Sequence, residues 1–233
     1  MGCSNNRAKL SAAEQRFALG EQELQYTHLD CTKVDLIHRK YSYNSAINEN
    51  QWLNINRHLY LSLNNPRSYF FQQIRTYYDQ YKESEVYILQ PLLCLGIILS
   101  QGSETTKSTL IFEAFVPNGS NKISRQGVTD IFETIFDVFV LKGEKLLKDN
   151  EEEKVSLSEH EEFVKRMKAG KEELREKFVQ GILGSENFVE LRKFVKWFTE
   201  GGNKRFMDSN GFRRELRKAA NKKKGKKFEL VIK

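Results

Sequence analysis

The stretch Phe112–Val140, with the sequence FEAFVPNGSNKISRQGVTDIFETIFDVFV, decides the fold that we expect, because two apolar helical runs flank a short polar loop. Phe112 and Phe115 end the first run. In the second run, apolar residues recur at intervals of three and four, which places them on one wide face of a helix. These residues are Val128, Ile131, Phe132, Ile135, Phe136 and Phe139. The stretch therefore predicts a helix, a loop and a second helix.

The loop between the two runs has the layout of an EF-hand calcium loop over the twelve residues Val116–Gly127. Ligands of such a loop fall at places one, three, five, seven, nine and twelve. Ile123 stands at place eight, and the inner ligand places hold Asn118, Ser120, Lys122 and Ser124. Place one is Val116 rather than Asp, place six is Asn121 rather than Gly, and place twelve is Gly127 rather than Glu. We therefore expect no calcium cofactor, with weak binding through neutral oxygens as the alternative.

Residues 86–140 resemble the calcineurin B and neuronal calcium sensor family in the order of their elements. In that family an apolar helix ends in a small-polar-Gly turn, a lysine-containing helix with two aromatic residues follows, and the third loop comes next. The matching residues are Leu95–Gly102, Lys107, Phe112, Phe115 and Ile123. The resemblance covers about Thr32–Lys145. It implies paired EF-hand-like units and a myristoylated N-terminal glycine, which Gly2 matches.

The expected architecture is all-α, with two pairs of EF-hand-like helix–loop–helix units and a charged helical insertion. Residues 1–31 form an N-terminal acylated segment with a short helix, and residues 32–102 form the first pair. Residues 103–227 form the second pair, which the insertion at 149–187 interrupts. Residues 213–233 form a basic tail that overlaps the end of the second pair.

Two local patterns add detail to this division. Ser11 and Glu14 have the spacing of a capping box, which predicts that a helix begins near Ala12. Thr199–Asn210 is a candidate for a fourth, degenerate loop, because Phe206 stands at place eight of its twelve residues.

Composition favours a soluble, mostly helical protein in a reducing compartment. The chain has 233 residues, of which 39% are hydrophobic and 30% are charged, and it has three prolines. No apolar run reaches the roughly 18 residues that a membrane-spanning helix needs, and the N-terminus shows no secretory signal. The three cysteines are an odd number without metal-binding spacing, which is typical of a cytosolic protein.

The N-terminal sequence Met1-Gly2-Cys3 offers two acylation sites. Gly2 is a candidate for myristoylation after removal of Met1, and Cys3 is a candidate for palmitoylation. One acyl chain gives marginal membrane binding, whereas two give stable anchoring. Asn6 departs from the Ser or Thr of the usual pattern, so an unmodified terminus is the alternative.

The basic excess is concentrated near the C-terminus. The net charge is +7, and between residues 213 and 227 only Glu215 is acidic. The basic residues there are Arg213, Arg214, Arg217, Lys218, Lys222, Lys223, Lys224, Lys226 and Lys227. An anionic membrane surface is the expected partner, and an acidic protein tail is an alternative. Nucleic acid is not expected, because few aromatic residues lie among the lysines.

Two further features bear on function. The histidines show no metal-pair spacing and no nucleophile motif is present, so we expect no enzyme. A groove for an amphipathic partner helix is expected, because the chain has more aromatic residues than one small helical core needs. For each of the residues named next, the alternative is a position in the buried core. The groove's candidate lining is Phe70, Phe71, Tyr77, Leu92, Ile97, Phe132, Phe136 and Phe139.

These expectations combine into a calcium-independent adaptor or scaffold that is cytoplasmic and peripherally bound to a membrane. Two alternatives stay open. The chain could be a structural component of a cytoskeletal or ciliary, microtubule-associated assembly, or it could be a calcium sensor.

Overall fold

The structure, a computed structural model, describes residues 11–64, 71–116, 120–146 and 157–231, with the side chains of the last helix described as far as Lys222. This part of the chain is mostly helical, as expected. Its α-helices are α1 (Ala12–Glu23), α2 (Cys31–Tyr41), α3 (Glu49–Leu59), α4 (Phe71–Asp79), α5 (Leu89–Leu99), α6 (Glu104–Phe115), α7 (Arg125–Phe136), α8 (Leu157–Ala169), α9 (Lys171–Leu183), α10 (Leu191–Thr199) and α11 (Ser209–Val231). A π-helical turn, Asp137–Lys142, continues α7. Five short strands lie between the helices: β1 (Ala46–Ile47), β2 (Lys82–Glu83), β3 (Val86–Ile88), β4 (Lys122–Ser124) and β5 (Phe188–Glu190).

Side-chain caps fix the starts of several helices. The predicted capping box at α1 is confirmed: the Ser11 N–H donates to Glu14 Oε2 at 2.8 Å, and the Glu14 N–H donates to Ser11 Oγ at 3.3 Å. Asn48 and Gln51 form a second capping box at α3. Each cap satisfies backbone N–H groups that have no partner within the helix, so these sequences set the boundaries of the helices that follow the loops.

The strands join helix–loop–helix units in pairs. Strand β1 runs antiparallel to β3, with Ile47 opposite Tyr87, and β3 also pairs with β2 in a hairpin. Strand β4 runs antiparallel to β5, with Ile123 opposite Val189. The units α2–β1–α3 and α4–β3–α5 therefore form one pair, and the units α6–β4–α7 and α9–β5–α10 form the other.

One continuous core extends through both pairs. Helix α5 lies at its centre, and Leu92, Leu95 and Ile97 of this helix are fully buried. Gly96 lets α2 approach closely, because a Cβ at this position would lie 2.6 Å from Val34 Cγ1. The Lys107 ammonium donates to the carbonyl of Ile98 at 2.8 Å and links α6 to the end of α5.

Helices α1 and α11 pack together through a buried ion pair. Arg213 is fully buried and binds both carboxylate oxygens of Glu21, at 2.5 and 3.1 Å. Ser209 donates to the same carboxylate at 2.7 Å, and the guanidinium lies 4.7 Å from the Phe17 ring. One turn further along α11, Arg217 pairs with Glu14.

The structure corrects the predicted basic tail, because Arg213 and Arg217 hold α11 against α1 instead of forming an exposed charged segment. Helix α11 continues through this region to Val231.

The predicted division of the second pair is also corrected. The proposed insertion at 149–187 includes α9, which leads directly into β5 and belongs to the pair itself. The candidate loop Thr199–Asn210 contains the 3₁₀ turn Asn203–Met207 and contributes no residue to β4–β5. Val189 rather than Phe206 stands opposite Ile123. The loop that pairs with β4 therefore lies directly before α10, at residues 184–190, and is called the fourth loop below.

Candidate functional site

The loop that ends at Gly127, called the third loop below, is held by an apolar contact between Ile123 and Gly127. A calcium loop has its bidentate carboxylate at the place that Gly127 occupies. A Cβ at Gly127 would lie 2.6 Å from Ile123 Cγ1, so Ile123 fills the space beside place twelve. Ser120 exchanges hydrogen bonds with the backbone of Lys122, at 2.9 and 3.1 Å, and Ser124 caps α7 by accepting from the Gly127 N–H at 3.2 Å. The predicted ligand oxygens of Ser120 and Ser124 therefore have partners within the chain, and Asn118 lies outside the described residues.

The fourth loop carries positively charged side chains near its ligand places. Counting Val189 as place eight, Glu186 stands at place five and Lys193 at place twelve. The Lys193 ammonium lies 2.7 Å from a carboxylate oxygen of Glu186. From the neighbouring loop, the Arg125 guanidinium donates to the carbonyls of Gly184 and Glu186 at 3.4 and 3.3 Å. Lys193 and Arg125 thus bind carboxylate and carbonyl oxygens of this loop, and calcium prefers oxygen ligands of these two kinds.

The first pair shows the same arrangement around Lys82. Its ammonium lies 2.9 Å from Glu49 and 2.8 Å from Asp79, and it stands 4.6 Å from the centre of the Tyr87 ring. Burial disfavours the charged form, but hydrogen bonds to Asp79 and Glu49 outweigh it and raise the pKa of Lys82. Within the part of the chain that the structure describes, no group of three or more His, Cys, Asp or Glu is placed to hold a metal.

The predicted partner groove is wrong in this conformation, because its residues form the core. Six of the eight predicted lining side chains are buried: Tyr77, Leu92, Ile97, Phe132, Phe136 and Phe139. Phe71 is half-buried, and Phe70 lies outside the described residues. Helix α11 supplies part of the cover, since the rings of Phe212 and Phe132 lie 5.7 Å apart.

A cleft of about 810 Å³ opens between the two pairs. Loop residues 80–83, the start of α5, the end of α6 and one face of α7 line it. Its apolar part includes Ile88, Pro91, Phe115 and Val116, and its carboxylates are Glu83, Glu113, Asp130, Glu133 and Asp137. The amino-acid sequence gave no indication of this cleft, because its walls come from segments that are distant along the chain.

The remaining predicted sites lie at the two ends. Gly2 and Cys3 lie outside the described residues. Lys218 and Lys222 are exposed on α11, and the helix continues through Lys223, Lys224, Lys226 and Lys227, whose side chains are not described. None of the described helices has both the length and the apolar character to cross a bilayer.

One structural element that the sequence analysis missed is strand β5 in the fourth loop. Its signal was the triplet Phe188-Val189-Glu190, in which Val189 is buried between two exposed residues. Alternation of this kind indicates a strand, but the apolar residues that follow at helical spacing favour one helix over the whole of Phe188–Phe198.

Comparison with known proteins gives no relative. No protein-family model, no curated protein and no solved structure matches this chain.

Replacing Gly127 with alanine is expected to lower the free energy of unfolding by about 1–3 kcal/mol, because the added methyl group would force Ile123 to move. An alanine within a helix is otherwise favourable by about 0.5–1 kcal/mol, so the sign of the change tests the contact. Urea denaturation of Gly127→Ala, Ile123→Ala and the double variant measures it. If Gly127→Ala still destabilises the chain once Ile123 is alanine, this account of the loop is wrong.

Proposed function

We propose that this chain is a non-catalytic, EF-hand-like adaptor that works without calcium at an anionic membrane surface. The pairing of Ile47 with Tyr87 and of Ile123 with Val189 supports the EF-hand-like assignment, since a short antiparallel ladder between loops is what the predicted fold requires. The mostly helical fold agrees with it.

The observation that carries the proposal is the Lys193–Glu186 pair in the fourth loop. A calcium loop needs a bidentate carboxylate at place twelve, and an ammonium group there repels a cation. Place twelve of the third loop is Gly127, so neither loop of the second pair has a carboxylate at this place. The conformation of the second pair is therefore not regulated by a metal ion. The adaptor's surface is therefore the same at low and high calcium concentrations.

Membrane attachment is the second part of the proposal. It rests on the acylation signals at Gly2 and Cys3 and on the lysines near the end of α11. Each basic residue near an anionic surface contributes about 1 kcal/mol, and two acyl chains give a stable anchor.

A single set of measurements tests both parts. Titration with millimolar calcium is expected to leave the fluorescence of Trp52 and Trp197 unchanged, and calorimetry is expected to show no binding heat. Gly2→Ala and Cys3→Ser are expected to move the protein from the membrane fraction of expressing cells to the soluble fraction. Calcium-dependent fluorescence would favour a sensor, and unchanged location of both variants would contradict the membrane assignment.

A further inference from the structure

We infer that the cleft between the two pairs binds a basic amphipathic helix of a partner protein. This inference rests on the proposed adaptor function and specifies the chemistry of its partner. The cleft replaces the predicted apolar groove, whose described residues are buried except for half-buried Phe71.

The cleft carries unbalanced negative charge. Among the described residues, no cationic side chain pairs with Glu83, Glu113 or Asp130, and all three are exposed. Asp130 only accepts a hydrogen bond from Gln126, at 2.8 Å. The cleft thus presents three carboxylates without counter-ions, in a chain whose net charge is +7.

The basic side chains that face the cleft do not cancel this negative charge, because each is engaged by another carboxylate. Arg39 lies 2.7 Å from Asp35, and Lys142 pairs with Asp137. Lys82 is held by Glu49 and Asp79 at 2.9 and 2.8 Å. The unbalanced negative charge therefore remains at Glu83, Glu113 and Asp130, and it favours a positively charged partner.

The cleft also has an apolar lining, which favours an amphipathic helix over a segment that carries only basic residues. Ile88, Pro91, Phe115 and Val116 are all only partly buried and line one continuous space of about 810 Å³. A helix that presents an apolar stripe flanked by lysine or arginine matches such a surface. The apolar stripe contacts the floor, and the flanking cations reach the carboxylates at the rim.

None of the described residues of α11, the chain's own basic helix, lines this cleft. The helix continues without interruption from Ser209 to Val231. We therefore assign the cleft to a different protein.

Fluorescence anisotropy with a labelled 18-residue helical peptide tests the inference on the full chain. The probe carries leucine on one face and lysine on the flanks, and its matched control carries glutamate in place of lysine. The lysine peptide is expected to bind and the glutamate peptide to fail. Glu113→Lys combined with Asp130→Lys is expected to weaken binding of the lysine peptide about tenfold or more. The control is Glu23→Lys combined with Glu161→Lys, at two exposed carboxylates outside the cleft. This control variant is expected to bind the lysine peptide about as tightly as the parent chain.

Three outcomes would overturn the inference: equal binding of both peptides, equal loss in both pairs of variants, or concentration-dependent self-association that the cleft variants abolish. The last outcome would identify a second copy of this chain as the occupant. Failure of the lysine peptide to bind is distinguishable from failure of the proposed function, because calcium independence and membrane partition are measured without the peptide.

Discussion

Replacing Arg213 with alanine is expected to lower the free energy of unfolding by about 3–5 kcal/mol, the usual cost of removing one partner from a buried ion pair. The loss is large because Glu21 is itself only 6% exposed and would keep a charge with no cation to balance it. Urea denaturation followed by circular dichroism at neutral pH measures the difference between the variant and the parent chain.

Two further variants separate the charge from the helix contact. Glu21→Met combined with Arg213→Met is expected to recover most of the lost stability, because an apolar pair of similar volume often replaces a buried ion pair without cost. Lys218→Ala, which removes an exposed partner of Glu215 on the same helix, is expected to cost no more than about 1 kcal/mol. If the double methionine variant is as unstable as Arg213→Ala, the buried charge is not the reason for the loss.

Acidification is expected to remove about 3 kcal/mol of stability through His38. This histidine is fully buried, with Nδ1 donating to the Val34 carbonyl at 2.8 Å and Nε2 lying 3.3 Å from the Tyr26 hydroxyl. Burial lowers the pKa of His38 from 6.5 to about 4. Between these two values the unfolded chain takes up a proton that the folded chain refuses, so stability falls as the pH falls through this window.

The measurement is urea denaturation of the parent chain and of His38→Gln at pH 7 and at pH 4.5. The parent chain is expected to lose about 2–3 kcal/mol more than the variant between these conditions, since one pKa unit corresponds to about 1.4 kcal/mol. His58→Gln, at an exposed histidine, serves as the control and is expected to follow the parent chain. Parallel losses in the parent and in His38→Gln would show that His38 does not cause the pH dependence.

Much of the helical pattern could be predicted from sequence, because each amphipathic helix carries its own periodicity. The α6–β4–α7 unit was predicted closely, since Ile123 stands between two clear apolar runs. The fourth loop was not, because three strand residues directly before α10 give only a weak alternation. The charged helix α9 was taken for part of an insertion, although Leu174 and Phe178 bury one face of it.

The candidate site was harder to predict than the fold, for a physical reason. Large apolar residues serve equally well as core or as groove, and only the number of helices that cover them decides between the two. Here α1, α8 and α11 add that cover. Likewise, Arg213 stands in a run of basic residues, and nothing local in the sequence shows that it pairs with Glu21. The cleft depends on three-dimensional proximity alone.

The contact between the first and last helices also has a consequence in time. Glu21 and Arg213 are 192 residues apart, and a ribosome adds about 5–20 residues per second. For about 10–40 s after its synthesis, the acidic helix α1 therefore lacks the partner that neutralises it. The nascent chain can form its loop pairs early, but α1 can reach its final packing only after Arg213 has been synthesised.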